Sequence, residues 1–325
     1  MAASEIKMDE KKSAEMSVTD ADIKVGEIKE LDQAEIFLKN NNISHDDLNA
    51  MLSDSEGVNK LVRKVDFMLM PLLCGTYLLQ YIDKQSLSYA AVFDLFESTN
   101  TDSNQYSWLV SLFYFGYLVA EWPMSYVAQR LPTGKVVSVS IIVWGSLLML
   151  MTASHNFTGL AICRFLLGVF ESCITPVFMM IVGQWYQRKE QSARAGAFYC
   201  FNGVGASVGG ILFFAVGQAK GFEIWRAIFL LAGGCTVFWG VLLLIFLPDN
   251  IMAAKRFSPQ EKALLIARSQ QNQTGIFNPT IRISQVKEAL MDPQIWLLFL
   301  FTLLNETVNG GIANFSKLII KGLTG

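Results

Sequence analysis

Two stretches decide the fold: VVSVSIIVWGSLLMLMTA from Val136 to Ala153, and AIFLLAGGCTVFWGVLLLIFL from Ala227 to Leu247. Neither carries a charged side chain. A helix needs about 20 apolar residues to cross the hydrocarbon of a bilayer, and a buried helix of a soluble protein rarely sustains such a run. Working outward, comparable segments occupy roughly 67–84, 106–127, 159–183, 195–217 and 294–316. Only helices or closed barrels satisfy the backbone inside lipid, and these segments have helical length. The sequence therefore predicts an all-α polytopic membrane protein with seven transmembrane helices.

Composition agrees. Of 325 residues, 52% are hydrophobic and 17% charged, and the mean hydropathy is +0.36. Lysines and arginines number 26 against 28 acidic residues, a formal net charge of -2. That balance excludes the basic excess that follows nucleic-acid phosphates. Cys74, Cys163, Cys173, Cys200 and Cys235 lie singly among apolar residues and read as packing residues. No metal set, phosphate loop, nucleophile elbow or zincin motif occurs, so neither an enzyme nor a bound cofactor is expected.

Residues 1–64 form a polar cytosolic tail, largely disordered by composition, with short helices expected at Leu31 to Leu38 and Asp46 to Leu52. A six-helix unit spans 65–247, a cytoplasmic linker 248–293, and a seventh helix 294–325. Cations gather in alternate loops: Arg130 and Lys135, then Arg188, Lys189 and Arg194, then Lys255 to Lys287. The intervening loops are poor in them, which sets the N-terminus inside. Spans one to three and four to six then have opposite topology, the arrangement of 3+3 inverted repeats.

Charges within spans are costly, about 2.5–3.5 kcal/mol at a helix centre, and so mark pathways. They are Asp83, Lys84, Glu121, Arg164, Glu171 and Glu306. Arg164 and Glu171 are seven residues apart, on one helix face. They suit either an anion-attracting cation beside a proton-exchanging carboxylate, or a structural ion pair. Asp83 and Lys84 fall near the outer end of the first span, as site residues or as solvated flanks. Glu121 precedes Trp122-Pro123 and suits gating. The glycine-rich run Asn202 to Gly210 lacks the preceding strand of a phosphate loop and reads as close helix packing. Asn309-Gly310-Gly311 reads as an interruption that frees backbone groups toward a cavity.

In order along the chain, these residues resemble the major facilitator superfamily, specifically the fungal allantoate permease branch of its anion:cation symporters. The resemblance is carried by Arg63 to Asp66, Tyr81 to Ala90, Tyr114 to Pro123, Gln129 to Lys135, Arg164 to Glu171 with Pro176, Trp225-Arg226 and Leu247 to Asp249. The loop motif is degenerate, with Gln129 where many members have aspartate, beside Arg130, Gly134 and Lys135.

The resemblance implies proton-coupled uptake of a small organic anion, such as allantoate, ureidosuccinate, a vitamin or a small peptide, by alternating access. It implies Asp83 and Glu171 as proton-coupling sites, Lys84 and Arg164 for substrate and coupling, Glu121 and Asn309 as gating or substrate residues, and a multi-pass plasma-membrane location. Such proteins have twelve spans, so the role is expected of the sequence when complete or when complemented by a partner that supplies the second half. The alternative is a non-transporting remnant or a membrane binding or sensing subunit.

Overall fold

The computed structural model describes residues 45–218, 223–271 and 283–324. Regular structure among them is helical: α1 His45–Ser53, α2 Ser55–Val92, α3 Leu95–Thr99, α4 Ser103–Arg130, α5 Thr133–Met151 and α6 Phe157–Glu171. There follow α7 Ile174–Trp185, α8 Arg188–Gly217, α9 Ile224–Phe246, α10 Pro259–Gln271, α11 Ile283–Met291 and α12 Pro293–Thr324. α1 covers the expected helix at Asp46 to Leu52; the one at Leu31 to Leu38 lies outside the described residues.

Six of these stretches are long and apolar enough to cross a membrane: α2, α5, α6 with α7, α8, α9 and α12. The seventh expected span is α4, whose 28 residues suffice in length while Ser, Tyr and Gln side chains and Glu121 dilute its hydropathy. α2 is longer than the apolar run 67–84 suggested. It starts at Ser55, where the Asp54 side chain caps the amide of Glu56, and continues to Val92. Asp83 and Lys84 are therefore interior helix residues rather than an outer flank.

Packing follows helix pairs. α2 lies on α8, α4 on α6, and α5 on α9, with α9 also on α2 and α6 also on α5. Number the spans one to six, with α6–α7 as the fourth. The contacts are then 1–5, 2–4, 3–6, 1–6 and 3–4. Exchanging spans 1–3 with 4–6 maps this set onto itself, which is what the 3+3 repeat requires.

Close approach depends on glycine at three interfaces. A Cβ on Gly116 would fall on the Phe165 carbonyl, and one on Gly168 on the Phe113 carbonyl, locking α4 against α6. Gly145 and Gly233 do the same for α5 and α9. Gly205, in the glycine-rich run, faces the Leu78 carbonyl of α2, so that run does serve helix packing.

Leu69, Leu73, Trp144, Phe178, Phe198 and Trp225 fill the interior, while Phe67, Leu118, Ile211, Phe214 and Ile245 are outward and exposed. So broad an apolar exterior fits lipid contact. The cysteines divide accordingly. Cys74, Cys163 and Cys173 are buried, but Cys200 and Cys235 are exposed rather than packed inside.

Two expectations about continuity reverse. The fourth span breaks after Glu171, with α7 starting at Ile174. Pro176 explains it, since proline has no N–H for the Ser172 carbonyl and its ring crowds that group. Conversely, α12 runs without a break through Asn309-Gly310-Gly311. Each glycine costs only about 1 kcal/mol in a helix, and local bonds hold the turn. Asn309 Nδ2 donates to Glu306 Oε2 at 3.0 Å and Asn314 Nδ2 to the Gly310 carbonyl at 2.8 Å.

Candidate functional site

α2, α6 and α9 converge on four charged side chains inside the bundle. Asp83 and Lys84 are sequence neighbours, about 100° apart around α2, so they address different helices. Asp83 turns to α9, where Thr236 Oγ1 donates to Asp83 Oδ2 at 2.8 Å. Lys84 turns to α6, and its Nζ lies 3.1 Å from Glu171 Oε1. One turn earlier on the same face, Gln80 Nε2 donates to that same oxygen at 2.9 Å. The carboxylates are fully enclosed, at 1% and 0% exposure for Asp83 and Glu171. The Lys84 side chain retains 38%.

Each carboxylate thus has one oxygen held and one buried without a partner, Asp83 Oδ1 and Glu171 Oε2. Arg164 is 3% exposed, and its Nε and Nη2 have no hydrogen-bond partner. Its guanidinium sits 5.8 Å from the centre of the Phe229 ring, a cation–π contact that offsets only part of the lost hydration. Lys84 is similarly placed 5.8 Å from the Phe113 ring. The two cations formally balance the two carboxylates, but Glu171 is paired with Lys84 across helices rather than with Arg164 on its own helix. The predicted same-face relation of Arg164 and Glu171 holds, since both side chains enter the core; the ion pair between them does not form.

The remaining predicted residues lie elsewhere. Glu121 is on α4 in a surface groove with Trp122, Ser125, Tyr126 and Gln129. Arg130 stacks 5.1 Å from the Tyr126 ring. Gly134 packs against Leu247 and Asp249. The Lys135 amide donates to Asp249 Oδ1 at 3.1 Å, with its ammonium 3.9 Å from Oδ2. The loop motif therefore reaches the end of α9 through Asp249 instead of a charge at Gln129. Asn309 is exposed on α12, where its amide donates to Glu306 rather than to any of the four charges.

Sequence reasoning missed Gln80, Thr236 and Thr76, whose Oγ1 accepts from Trp239 Nε1 at 3.0 Å. A signal existed. Thr76, Gln80 and Asp83 are buried polar residues of one span, spaced by four and three, and Gln80 precedes Lys84 by one turn. Among the described residues no cluster of His, Cys, Asp or Glu is placed to hold a metal ion.

Five packed helix pairs with internal two-fold repetition, and ionisable groups enclosed between the repeats, match the inverted-repeat plan of secondary-transporter folds. The Major Facilitator Superfamily profile matches residues 73–323, and the chain belongs to that family. An uncharacterised transporter of Schizosaccharomyces pombe is 35% identical over 99% of this chain and 61% of its own length. The allantoate permease of Saccharomyces cerevisiae is 35% identical over 80% of this chain and 49% of its own length. The chain spans about half the length of these curated relatives. In fold it resembles a bacterial homologue of the human lysosomal transporter Spinster, solved inward-facing and unoccupied. The TM-score is 0.55 at 16% identity, over 76% of this chain and 54% of that one.

Proposed function

We propose that the chain contributes the site-bearing six-helix half of a plasma-membrane importer that couples proton entry to uptake of a small organic anion, allantoate being the first candidate. The observation that supports this most directly is Arg164, a buried cation whose Nε and Nη2 lack partners, beside a Lys84–Glu171 pair that a proton would dissolve. An intramembrane charge left unpaired marks a place where a counter-charge arrives. A carboxylate of the substrate bonded by the guanidinium fork would supply it.

A proton on Glu171 removes the negative charge that holds Lys84, leaving two cations for the anion. Asp83, on the adjoining face of α2, is the second proton site, with Oδ1 free to receive it. The N-terminus and the Gln129 to Lys135 loop face the cytosol in this reading, and a second six-helix half closes the pathway. α12 belongs to that half.

The test measures uptake of labelled allantoate in yeast without its own permease. The chain is expressed alone and together with the second half of the Saccharomyces allantoate permease. Uptake that rises on acidification and vanishes in Asp83→Asn and in Glu171→Gln supports the assignment. Uptake indifferent to both substitutions sinks the coupling scheme, and ligand binding without uptake favours a binding subunit.

A further inference from the structure

Glu171 is gripped on one oxygen by two donors from α2 that differ in their freedom to leave. Lys84 Nζ is at 3.1 Å and its side chain is 38% exposed. Gln80 Nε2 is at 2.9 Å, and Gln80 is only 4% exposed. The ammonium has somewhere to go, since the Phe113 ring on α4 lies 5.8 Å away and Arg164 adds a second cation for an arriving anion. The amide has no such outlet, because a buried primary amide that lost its acceptor would stand unsatisfied at a cost comparable to a broken hydrogen bond.

We propose that Gln80 is a positioning residue, one that holds the Glu171 carboxyl in place through protonation while Lys84 departs for the anion; this rests on the proton-coupling reading above. A proton taken from water adds to Glu171 Oε2, the oxygen without a partner. The group becomes a neutral acid whose carbonyl oxygen is Oε1. That oxygen continues to accept from Gln80, since a neutral carbonyl still takes a bond from an amide N–H, though a weaker one than a carboxylate takes. Lys84 loses its ionic partner, because a charge-assisted bond becomes an ordinary one. The charged and titratable groups around this carboxyl are Lys84 and Asp83 on α2, Tyr117 on α4, Arg164 on α6 and the Cys173 thiol just beyond α6. Of these only Lys84 touches Glu171 in an ion pair.

The measurement is infrared difference spectroscopy of the full chain in lipid nanodiscs during an acid titration. The carboxylic C=O band of Glu171 is assigned as the one absent in Glu171→Gln. In Lys84→Met the band stays at its wild-type, hydrogen-bonded frequency; in Gln80→Met it moves to higher frequency, as a carbonyl freed of its donor does. An unmoved band in Gln80→Met overturns the assignment. Should Gln80→Met fail to fold, Lys84→Met decides alone, because a band there at the free-carbonyl frequency means that Gln80 does not hold the acid. Absence of any titrating band that Glu171→Gln removes refutes the proton-coupling reading itself, and the role of Gln80 falls with it.

Discussion

Replacing Gly168 by alanine tests whether the α4–α6 contact sets the geometry of the charged cluster. The new methyl group would land on the Phe113 carbonyl oxygen, with the Tyr117 amide nitrogen at 2.9 Å and the Phe113 carbonyl carbon at 3.0 Å. Ordinary C···O contacts run about 3.3–3.6 Å, so relieving the overlap with the Phe113 carbonyl oxygen takes a shift of more than about 1 Å. Nothing flexible can yield, because every obstructing atom is backbone.

Overpacking of this kind costs about 1–3 kcal/mol, and the rigid obstruction argues for the upper part of that range. Alanine recovers about 1 kcal/mol of helix propensity, which leaves a net destabilisation of about 2 kcal/mol. Gly183 on α7 provides the control, since a Cβ there meets nothing within 4 Å. Gly183→Ala should stabilise by about 1 kcal/mol, making the gap between the variants about 3 kcal/mol.

Unfolding by SDS in lipid–detergent micelles, followed by tryptophan fluorescence, reads the difference. Gly116→Ala obstructs the same pair of helices, so the double variant should cost less than the sum. Gly168 lies one turn from both Arg164 and Glu171, so the same shift should stretch the 3.1 Å contact to Lys84 and depress uptake. Equal stability of Gly168→Ala and Gly183→Ala would refute the reasoning.

Thr236→Val removes the donor to Asp83 while keeping side-chain volume, and should cost about 1–3 kcal/mol at neutral pH, measured by the same unfolding assay, with reduced uptake. Arg194→Lys should lose about 1 kcal/mol after allowance for partial exposure. It replaces a two-pronged contact to Asp66 at 3.1 and 3.0 Å and a stack on Tyr186 with a single ammonium. At Glu261, burial pushes the carboxyl up, but bonds from the Lys64 ammonium and from Ser258 outweigh it and hold the group below its ordinary 4.5. The tether of α10 to α2 is therefore fully present above that value and loosens as pH falls through the lower, folded one. Hydrogen exchange of α10 should accelerate only in that acid range, and Glu261→Gln should abolish the dependence. Gly311 has open space for a Cβ. Gly311→Ala should leave α12 intact or raise its stability by about 1 kcal/mol, whereas a functional break there would make it damaging to uptake.

The sequence by itself determined where the chain crosses the membrane, because transfer of apolar side chains into lipid depends on local composition and needs no knowledge of neighbours. It also determined that Arg164 and Glu171 share a face, because seven residues is two turns of any α-helix. The proline at 176 carried the break in the fourth span, though it was legible only as part of a motif. Asn309-Gly310-Gly311 misled for the opposite reason: glycine permits a break without requiring one, and α12 closes its own hydrogen bonds. Only the tertiary structure decided which charges pair. Lys84 meets Glu171 because its long side chain reaches from α2 to α6, and Asp83 meets Thr236 because α9 lies on the adjoining face. Gln80 and Thr236 carry no charge; spacing alone put Gln80 on a polar face with Thr76 and Asp83, but only the fold shows which carboxylate each serves. Distances between helices depend on the packing of backbones at Gly116, Gly168, Gly145 and Gly233, and no linear pattern of hydrophobicity encodes them.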